Sequence, residues 1–365
     1  MKVFDNISLK PYNTFGIDVR AQRLVVIEDE SDVDLLDLKQ PYIVLGGGSN
    51  MVFTHDFEGT VITLFKTSPL TTFHSPLVSV WGGMVMDDLV QWTLDHGLYG
   101  LENLSAIPGT VGASAVQNVG AYGAEAKDFI ESVEAYDLQE RRHCTFSNAD
   151  CQFAYRDSLF KHHPGRYLIL RVDYRLSKEY SPNLSYKALE GLPHDTAQQL
   201  RDAITELRWN KLPRPEENGS AGSFFKNPVV EEETYLRIKT EYPDMPEAHV
   251  VHTPQSTLCV ASSPNLGEQL DGCGYGNSSS PKLGEEDPKG GGVCNEYKLS
   301  AGWLIDRAGW KGRTQGRAGV WPKNALVLYN AGGCTGDEVV TLAQAIQQDV
   351  KQKFCVHLEP EAIII

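Results

Sequence analysis

The stretch Leu45–Asn50, LGGGSN, directly follows a strand-like run at 42–45. Glycines lack Cβ atoms and let backbone N–H groups approach an anion closely, while Ser49 and Asn50 add hydrogen-bonding side chains. The stretch has neither the G-x-G-x-x-G dinucleotide fingerprint nor the Lys-Ser/Thr pair of a Walker loop. It therefore predicts a pyrophosphate cradle or, as the more ordinary alternative, a glycine-rich tight turn.

A second stretch of small residues, IPGTVGASAVQNVGAYG, occupies 107–123. It lacks the charge of an exposed linker, so its backbone is expected to pack against something large and flat. The alternative is a buried crossover between strands. Together the two stretches predict a bound cofactor. The candidate cofactor-binding residues are Gly46, Gly47, Gly48, Ser49, Asn50, Ile107, Pro108, Gly109, Gly112, Ala113, Ser114, Gln117, Asn118 and Gly120.

Length and charge restrict the class of protein. The chain has 365 residues, of which 41% are hydrophobic, and this predicts two or three domains. The net charge is -15 and no run of Lys or Arg stands out, so nucleic acid is not an expected partner. A few cations at one site can still bind an anionic substrate, because distant charges are screened.

The chain carries no signal for a membrane or a metal. Its N-terminus has no apolar h-region, and no later stretch approaches the roughly 20 apolar residues that cross a bilayer. The seven cysteines are scattered, without the Cys/His spacing of a zinc site. We therefore expect a cytoplasmic protein with free thiols, no metal and no membrane partner.

Alternating short apolar runs and turns predict an α+β protein. The strand-like runs lie at 23–27, 42–45, 60–64, 77–81, 129–136 and 167–176. A weak helical pattern occupies 33–38, and an amphipathic helix around 86–94 should stop at Gly97. A further helix is predicted at 195–208, followed by Pro213 and Pro215, which cannot continue it. Thr335 and Glu338 form a capping box that predicts the last helix.

These patterns divide the chain into three predicted domains. The first covers 1–66 and is completed by a final strand at 356–365. The second covers 67–210. The third covers 211–355 and contains a flexible Gly/Ser-rich insertion at about 252–294, because such a composition buries too little apolar surface to offset its ordering entropy.

Eight short motifs occur in one order along the chain and make a resemblance specific. They are NTFG at 13–16, GGGSN at 46–50, GLENL at 100–104, IPGTVG at 107–112, YRDS at 155–158, GSFFKNP at 222–228, AGWLID at 301–306 and LEPE at 358–361. The chain resembles the UDP-N-acetylenolpyruvoylglucosamine reductases over roughly 9–230 and 298–361. A segment at 183–186, NLSY, is similar to the tyrosine loop of the type I branch.

The resemblance implies a two-domain FAD-binding module of the vanillyl-alcohol-oxidase type and a third, substrate-binding α+β domain. It implies a flavoenzyme of peptidoglycan precursor synthesis, in which NADPH reduces the flavin. The flavin then passes hydride to the enolpyruvyl group of UDP-N-acetylglucosamine enolpyruvate, which yields UDP-N-acetylmuramate. The expected cofactors are FAD and NADPH, the expected partner is the UDP-sugar, and the expected state is a monomer.

Three residues match the family's catalytic positions, and each suits its role chemically. Hydride addition leaves an enolate-like charge on the substrate carboxylate, and the guanidinium fork of Arg156 can meet that charge with two hydrogen bonds. Glu361 is expected to work on the same enolate and therefore to carry or share a proton. Ser223 matches the proton donor to the α-carbon. The ordinary alternatives are a surface pair of Arg156 with Asp157 and a turn role for Ser223.

Four more residues match family positions that hold the uridine diphosphate or lie near the nicotinamide: Tyr122, Tyr186, Lys211 and Asn227. Lys211 supplies a point charge, and a tyrosine can stack on the nucleotide or hydrogen-bond to it. Two other functions stay open from the residues alone. One is an FAD-dependent oxidase or dehydrogenase of another small substrate, and the other is a catalytically silent nucleotide-binding module.

Overall fold

The structure, a computed structural model, describes residues 1–65, 70–74, 76–252 and 295–365. The predicted Gly/Ser-rich insertion lies outside these residues, apart from its first position. The helices are α1 Met86–Asp95, α2 Val111–Val116, α3 Leu159–His162, α4 Ala197–Lys211, α5 Glu232–Glu241, α6 Ala301–Arg307 and α7 Gly336–Phe354. The strands of the first half are β1 Lys2–Ser8, β2 Arg20–Ile27, β3 Tyr42–Val44, β4 Met51–Val52, β5 Phe57–Leu64, β6 Leu70–His74, β7 Leu77–Trp81, β8 Gly120–Ala121, β9 Ala124–Glu125, β10 Ile130–Asp137, β11 Arg142–Ser147 and β12 Tyr167–Arg175. Those of the second half are β13 Ser220–Ser223, β14 Val229–Glu231, β15 His249–His252, β16 Asn295–Lys298, β17 Thr314–Gln315, β18 Ala318–Val320, β19 Val327–Asn330 and β20 Ile363–Ile364.

The first sheet has the strand order β1-β2-β5-β3, with β2, β5 and β3 parallel and β1 antiparallel at the edge. Side chains alternate between the faces of a strand, so β2 contributes to two different cores. Leu24 and Val26 pack with residues of the predicted third domain. Val25 and Ile27 pack against the second sheet. The first sheet therefore lies between the other two parts of the molecule.

The second sheet is antiparallel, in the order β11-β10-β12-β7-β6. Val78, Val80 and Val172 belong to a core that α1 and α2 cover. Leu168 and Leu170 instead belong to the core shared with the first sheet. The loop that precedes α2 is therefore held at the junction between the two sheets.

The third part contains a sheet of order β13-β19-β18-β17 and a small sheet of order β14-β16-β15. The longest helix, α7, begins with the predicted capping box, in which the Thr335 side chain accepts from the backbone N–H of Glu338 and the Glu338 carboxylate accepts from that of Thr335. Its apolar face is buried in the core that also contains Leu24. Because this core joins the first and third parts, they are fixed relative to each other.

The chain after α7 differs from its prediction. A continuous strand was expected at 356–365, but only β20 pairs as a strand, parallel to β4. Val356 and Leu358 are buried in the core, and Pro360 forms an isolated bridge with Phe225. Proline has no N–H and cannot continue a ladder. This segment therefore reaches the first sheet only at its last residues.

Two further elements differ from the sequence pattern. The weak helical pattern at 33–38 corresponds to a 3-10 helix at Glu30–Leu35. The strand β1 was not predicted, because most of its residues are exposed and give no burial alternation. The three domain boundaries stay predictions. Among the described residues, no helix is both long and apolar enough to cross a bilayer.

Candidate active site

Two loops rich in glycine contact each other and line one cleft between the first and second sheets. The first follows β3 and contains Gly47, and the second precedes α2 and contains Gly109. A Cβ atom on Gly47 would lie 2.7 Å from the Cα of Gly109, and Gly109 has a φ of +120°. The hydroxyl of Ser49 donates to the carbonyl of Pro108 at 3.1 Å. Close backbone approach therefore explains the glycine at Gly47, and the positive φ explains the glycine at Gly109.

The cleft has a volume of about 240 Å³, and both predicted loops line it. The predicted cofactor residues in its walls are Gly46, Gly47, Gly48, Ser49, Asn50, Ile107, Pro108, Gly109, Gly112, Ala113, Ser114 and Gln117. Asn118 and Gly120 are not among the lining residues. The Asn118 amide instead donates to the Glu125 carboxylate and the Ala154 carbonyl at 3.0 and 2.8 Å.

The walls of the cleft suit a flavin dinucleotide. Apolar side chains such as Val44, Leu64 and Ile169 offer flat contact surface, and the glycine loops offer backbone N–H groups. None of the described lining residues is acidic, and Lys161 is among them. A cofactor with a flat ring system and a diphosphate fits this combination of groups.

Arg156 and Glu361, two of the three predicted catalytic residues, form an ion pair. Nε of Arg156 lies 3.1 Å from Oε1 of Glu361, and their side chains are 22% and 11% exposed. Nε2 of Gln117 donates to the same Oε1 at 2.5 Å. Nδ2 of Asn50 donates to the side-chain oxygen of Gln117 and to the backbone carbonyl of Glu361, each at 3.1 Å. Asn50 and Gln117 also line the cleft, so the ion pair lies at one end of it.

A tight turn presents the Arg156 side chain. Ala154 and Asp157 exchange two backbone hydrogen bonds of 3.0 and 3.1 Å, and Arg156 between them has a φ of +55°. That left-handed conformation costs a residue with a Cβ about 1–2 kcal/mol. The ammonium of Lys161 donates to the Arg156 carbonyl at 2.7 Å, and Nη2 of Arg156 donates to the Gly120 carbonyl at 2.7 Å. Both ends of the arginine are therefore held.

Ser223 is the last residue of β13 and is partly exposed. The next residue, Phe224, accepts a hydrogen bond at its carbonyl from the backbone N–H of Glu361 at 2.7 Å. The N–H of Lys226 donates to the carbonyl of Glu359 at 2.9 Å. These bonds join the GSFFKNP and LEPE motifs side by side, so the third predicted catalytic residue lies next to the segment that carries the second.

Two predicted substrate-binding tyrosines also meet. The rings of Tyr122 and Tyr186 are edge to face with centroids 5.5 Å apart, and Tyr186 is 49% exposed. Burial raises the pKa of the Tyr122 phenol, and the nearby Arg208 cation opposes this effect. Burial lowers the pKa of Arg208. The Tyr122 ring is therefore largely shielded from solvent, and the Tyr186 ring exposes a face.

The other two predicted substrate-binding residues lie on other elements of the fold. Lys211 is exposed at the C-terminal end of α4. Asn227 accepts a hydrogen bond at Oδ1 from the backbone N–H of Ala301, the first residue of α6, at 3.0 Å. Asn227 therefore caps a helix, and its side-chain amide group keeps two donors for another partner.

The sequence did not single out two lysines near the ion pair. Nζ of Lys298 lies 3.2 Å from the centroid of the Tyr155 ring, and burial, followed by the Arg156 cation, lowers its pKa. Burial, followed by the Lys226 cation, lowers the pKa of Lys161. The position of Lys161 shortly after YRDS was an available signal. Lys298 offered none, because it comes from a distant strand of the third domain.

Comparisons with known proteins agree with this geometry. Residues 35–142 match the family model described as FAD binding domain. Residues 214–365 match the model described as UDP-N-acetylenolpyruvoylglucosamine reductase, C-terminal domain. A crystal structure of UDP-N-acetylenolpyruvylglucosamine reductase from Thermus caldophilus covers 100% of this chain and 99% of its own, with a TM-score of 0.66 and 22% identity. At that identity the likeness shows the fold.

Curated relatives match over almost their whole length. The UDP-N-acetylenolpyruvoylglucosamine reductase of Pseudomonas aeruginosa is 41% identical, over 99% of this chain and 98% of that protein. The protein of the same name from Azoarcus sp. (strain BH72) is 38% identical, over 100% of this chain and 98% of that protein. The predicted α+β fold with an FAD-binding module, and the predicted FAD-dependent oxidoreductase class, are confirmed by these matches. Identity at this level over nearly the whole sequence shows that the chain belongs to the UDP-N-acetylenolpyruvoylglucosamine reductase family.

Proposed function

We propose that this chain uses NADPH and FAD to reduce the enolpyruvyl group of UDP-N-acetylglucosamine enolpyruvate to UDP-N-acetylmuramate, as a cytoplasmic monomer of peptidoglycan precursor synthesis. The observation that carries the proposal is the contact of Arg156 with Glu361 at one end of the glycine-lined cleft. FAD, when bound, supplies the hydride that it takes from NADPH. The side chains around the cleft then have to hold the substrate and place its proton.

Arg156 would bind the substrate carboxylate. Its guanidinium is fixed by the Gly120 carbonyl through Nη2, while Nε faces Glu361. A guanidinium with one anchored donor keeps its orientation and can present its remaining N–H groups to a carboxylate as a fork. The charge that develops on the substrate during reduction therefore meets a cation already in position, which is the arrangement that lowers such a barrier most.

Glu361 would act on the same charge from the other side. Its Oε1 is occupied by Arg156 and Gln117, so an arriving carboxylate competes with Glu361 for the Arg156 cation. Two neighbouring carboxyl groups favour a state in which they share a proton. We infer that, when substrate binds, one proton is taken up from solvent and shared by Glu361 and the substrate carboxylate, and that Gln117 keeps the orientation of Glu361 during this uptake.

Ser223 would deliver a proton to the α-carbon. It follows Gly222 at the end of β13 and lies beside the segment of Glu361. A serine hydroxyl is a weak acid, and it transfers a proton effectively only when it is close to the acceptor and rigidly placed. The bond between the Phe224 carbonyl and the Glu361 N–H supplies that rigidity, since it couples the positions of the two side chains.

Tyr122, Tyr186, Lys211 and Asn227 would hold the nucleotide and its diphosphate. The exposed Tyr186 offers a ring face for stacking, and Tyr122 supports it from the edge. Asn227 would donate to the nucleotide through Nδ2, which its bond to Ala301 does not use. These roles describe binding, so loss of any one should raise KM more than it lowers kcat.

Two other functions were open from the residues alone. An oxidase of another small substrate would not need the Arg156–Glu361 pair at the cleft. A catalytically silent binding module would not need Ser223 beside Glu361. The test is a visible absorption spectrum of the purified protein, recorded before and after NADPH is added. The rate of NADPH oxidation is then measured with and without the enolpyruvyl substrate. We expect a flavin band that NADPH bleaches and oxidation that requires the substrate. A well-folded protein that binds no flavin would overturn the proposal.

A further inference from the structure

Lys161 is a cation in the wall of the cofactor cleft to which the proposed reaction gives no task. It lies in α3, whose first turn is fixed because Ser158 accepts from the N–H of Lys161 and donates to the carbonyl of Val116 at 2.6 Å. Phe160 beside it is buried. The backbone of Lys161 is therefore anchored against α2, the helix that follows the second glycine loop.

The ammonium of Lys161 has a carbonyl as its partner and no carboxylate. It donates to the Arg156 carbonyl at 2.7 Å. Other lysines of the chain form ion pairs, such as Lys127 with Glu125 at 2.7 Å and Lys226 with Glu359 at 3.3 Å. In the part of the chain that the structure describes, Lys161 forms none. A partly buried charge without a counter-ion is costly unless a ligand completes it.

Charged groups of both signs surround Lys161 without neutralising it. The cations of Lys226 and Arg156 and the carboxylates of Glu361 and Asp157 act on it electrostatically, after burial as the largest influence. The neighbouring cations and carboxylates act on the ammonium with opposite signs. An ammonium in a low-dielectric cleft interacts strongly with any negative charge a few ångströms away.

We propose that Lys161 faces the isoalloxazine ring of bound FAD and stabilises the negative charge that the ring gains on reduction. The inference rests on the proposed function only in that FAD occupies this cleft. Hydride transfer from NADPH moves two electrons and one proton to the ring and releases NADP⁺, so the neutral oxidised ring becomes a monoanion unless it takes up a further proton. A fixed cation beside the ring favours that monoanion.

The position of Lys161 separates this role from binding of the FAD diphosphate. Lys161 donates to Arg156, which pairs with Glu361. Gln117, which also lines the cleft, donates directly to Glu361. These contacts place Lys161 at the reacting end of the cleft. The diphosphate has its own donors in the backbone of the loops around Gly47 and Gly109. Lys161 is therefore assigned to the ring and not to the phosphates.

The test is the midpoint potential of the flavin in the purified holoenzyme, measured by reductive titration against a reference dye, which requires neither NADPH nor the UDP-sugar. Lys161→Met removes the charge and keeps an unbranched side chain. We expect the reduced flavin to lose at least about tenfold in binding relative to the oxidised flavin, equal to about 30 mV toward negative potential for a two-electron couple. Lys161→Arg should restore the potential. If Lys161→Met does not retain FAD, Lys161→Gln is measured in its place.

The matched control is Lys353→Met, because Lys353 also donates to a backbone carbonyl, that of Arg307 at 2.5 Å, and lies outside the cleft lining. Its potential should equal that of the unaltered protein. A potential of Lys161→Met equal to that of the control would overturn the proposal. So would equal weakening of oxidised and reduced FAD, since that result assigns the charge to the diphosphate. Failure of the UDP-sugar reaction alone would count against the proposed function and leave the potentials as the test of Lys161.

Discussion

Replacing Gly47 by alanine should weaken FAD binding by opening the contact between the two glycine loops. The new Cβ would lie 2.7 Å from the Cα of Gly109, whereas carbon atoms normally pack about 3.5–4.0 Å apart. The loops must therefore separate by about 0.8 Å or more. The atom in conflict belongs to the backbone, so a side-chain rotation cannot relieve it.

The magnitude follows from the cost of such overpacking, about 1–3 kcal/mol. If the cofactor needs both loops at their present spacing, that cost appears in its binding free energy, and the Kd for FAD rises about 5- to 150-fold. The hydrogen bond from Ser49 to Pro108 spans the same gap and should weaken too. The Kd is measured by titrating FAD into apoprotein and following flavin fluorescence.

Gly302→Ala is the matched control. Gly302 lies in α6, where the nearest atom to a new Cβ is Cγ of Leu326 at 3.3 Å, a side-chain atom that can move. Its Kd for FAD should stay at the value of the unaltered chain. A Kd for Gly47→Ala within twofold of this control, with both variants folded, would refute the loop contact as the determinant of cofactor binding.

Two further changes test the reaction centre, and a third tests an ion pair that stabilises the fold. Ser223→Ala should leave flavin reduction by NADPH intact and lower turnover of the enolpyruvyl substrate about 10²- to 10⁴-fold in stopped-flow and steady-state assays; unchanged turnover would remove its role as proton donor. Arg156→Lys keeps the charge but loses the fork, and kcat should fall about 10²- to 10³-fold, a result that equal kcat values would contradict. Asp87→Asn tests how stability depends on acidic pH. Burial raises the pKa of Asp87, but the hydrogen bonds from Arg201 and Ala106 outweigh this effect and lower it. The carboxylate therefore stabilises the fold above the unfolded pKa of about 3.9, and this stabilisation is lost as the pH falls through the lower folded pKa. The variant should lose about 1–3 kcal/mol at pH 7 and show a flatter loss of Tm below pH 4 than the unaltered chain; parallel Tm curves would count against this pair.

Local chemistry explains why some elements were predictable from sequence. Thr335 and Glu338 specify the start of α7 through bonds within four residues, and the predicted run at 77–81 coincides with β7. In contrast, β1 carries Val3 and Phe4 on the surface, with exposures of 46% and 41%. Its pairing with β2 therefore leaves no alternation of buried and exposed residues in the sequence.

The sequence indicated residues that line the cleft, but not the contacts that these residues make. The glycine stretches indicated a cofactor because backbone approach leaves a signature in composition. Gln117, which donates to the Glu361 carboxylate, lies 244 positions before it in the chain. No local sequence pattern encodes such a pairing. The predicted strand at 356–365 failed for a related reason, since Glu361 bonds to Phe224 of the third domain before β20 reaches β4.

The hydrogen bond from Asn50 to the Glu361 carbonyl joins residues 311 positions apart, and this separation sets an order of events during biosynthesis. Contacts between distant residues form late, because the entropy of closing the loop must be overcome first. Domains of a growing polypeptide fold from the N-terminus as it leaves the ribosome. A nascent chain can therefore assemble both glycine loops while Glu361, the proposed acid, is still untranslated, and the proposed function predicts that such unfinished copies are inert toward the substrate.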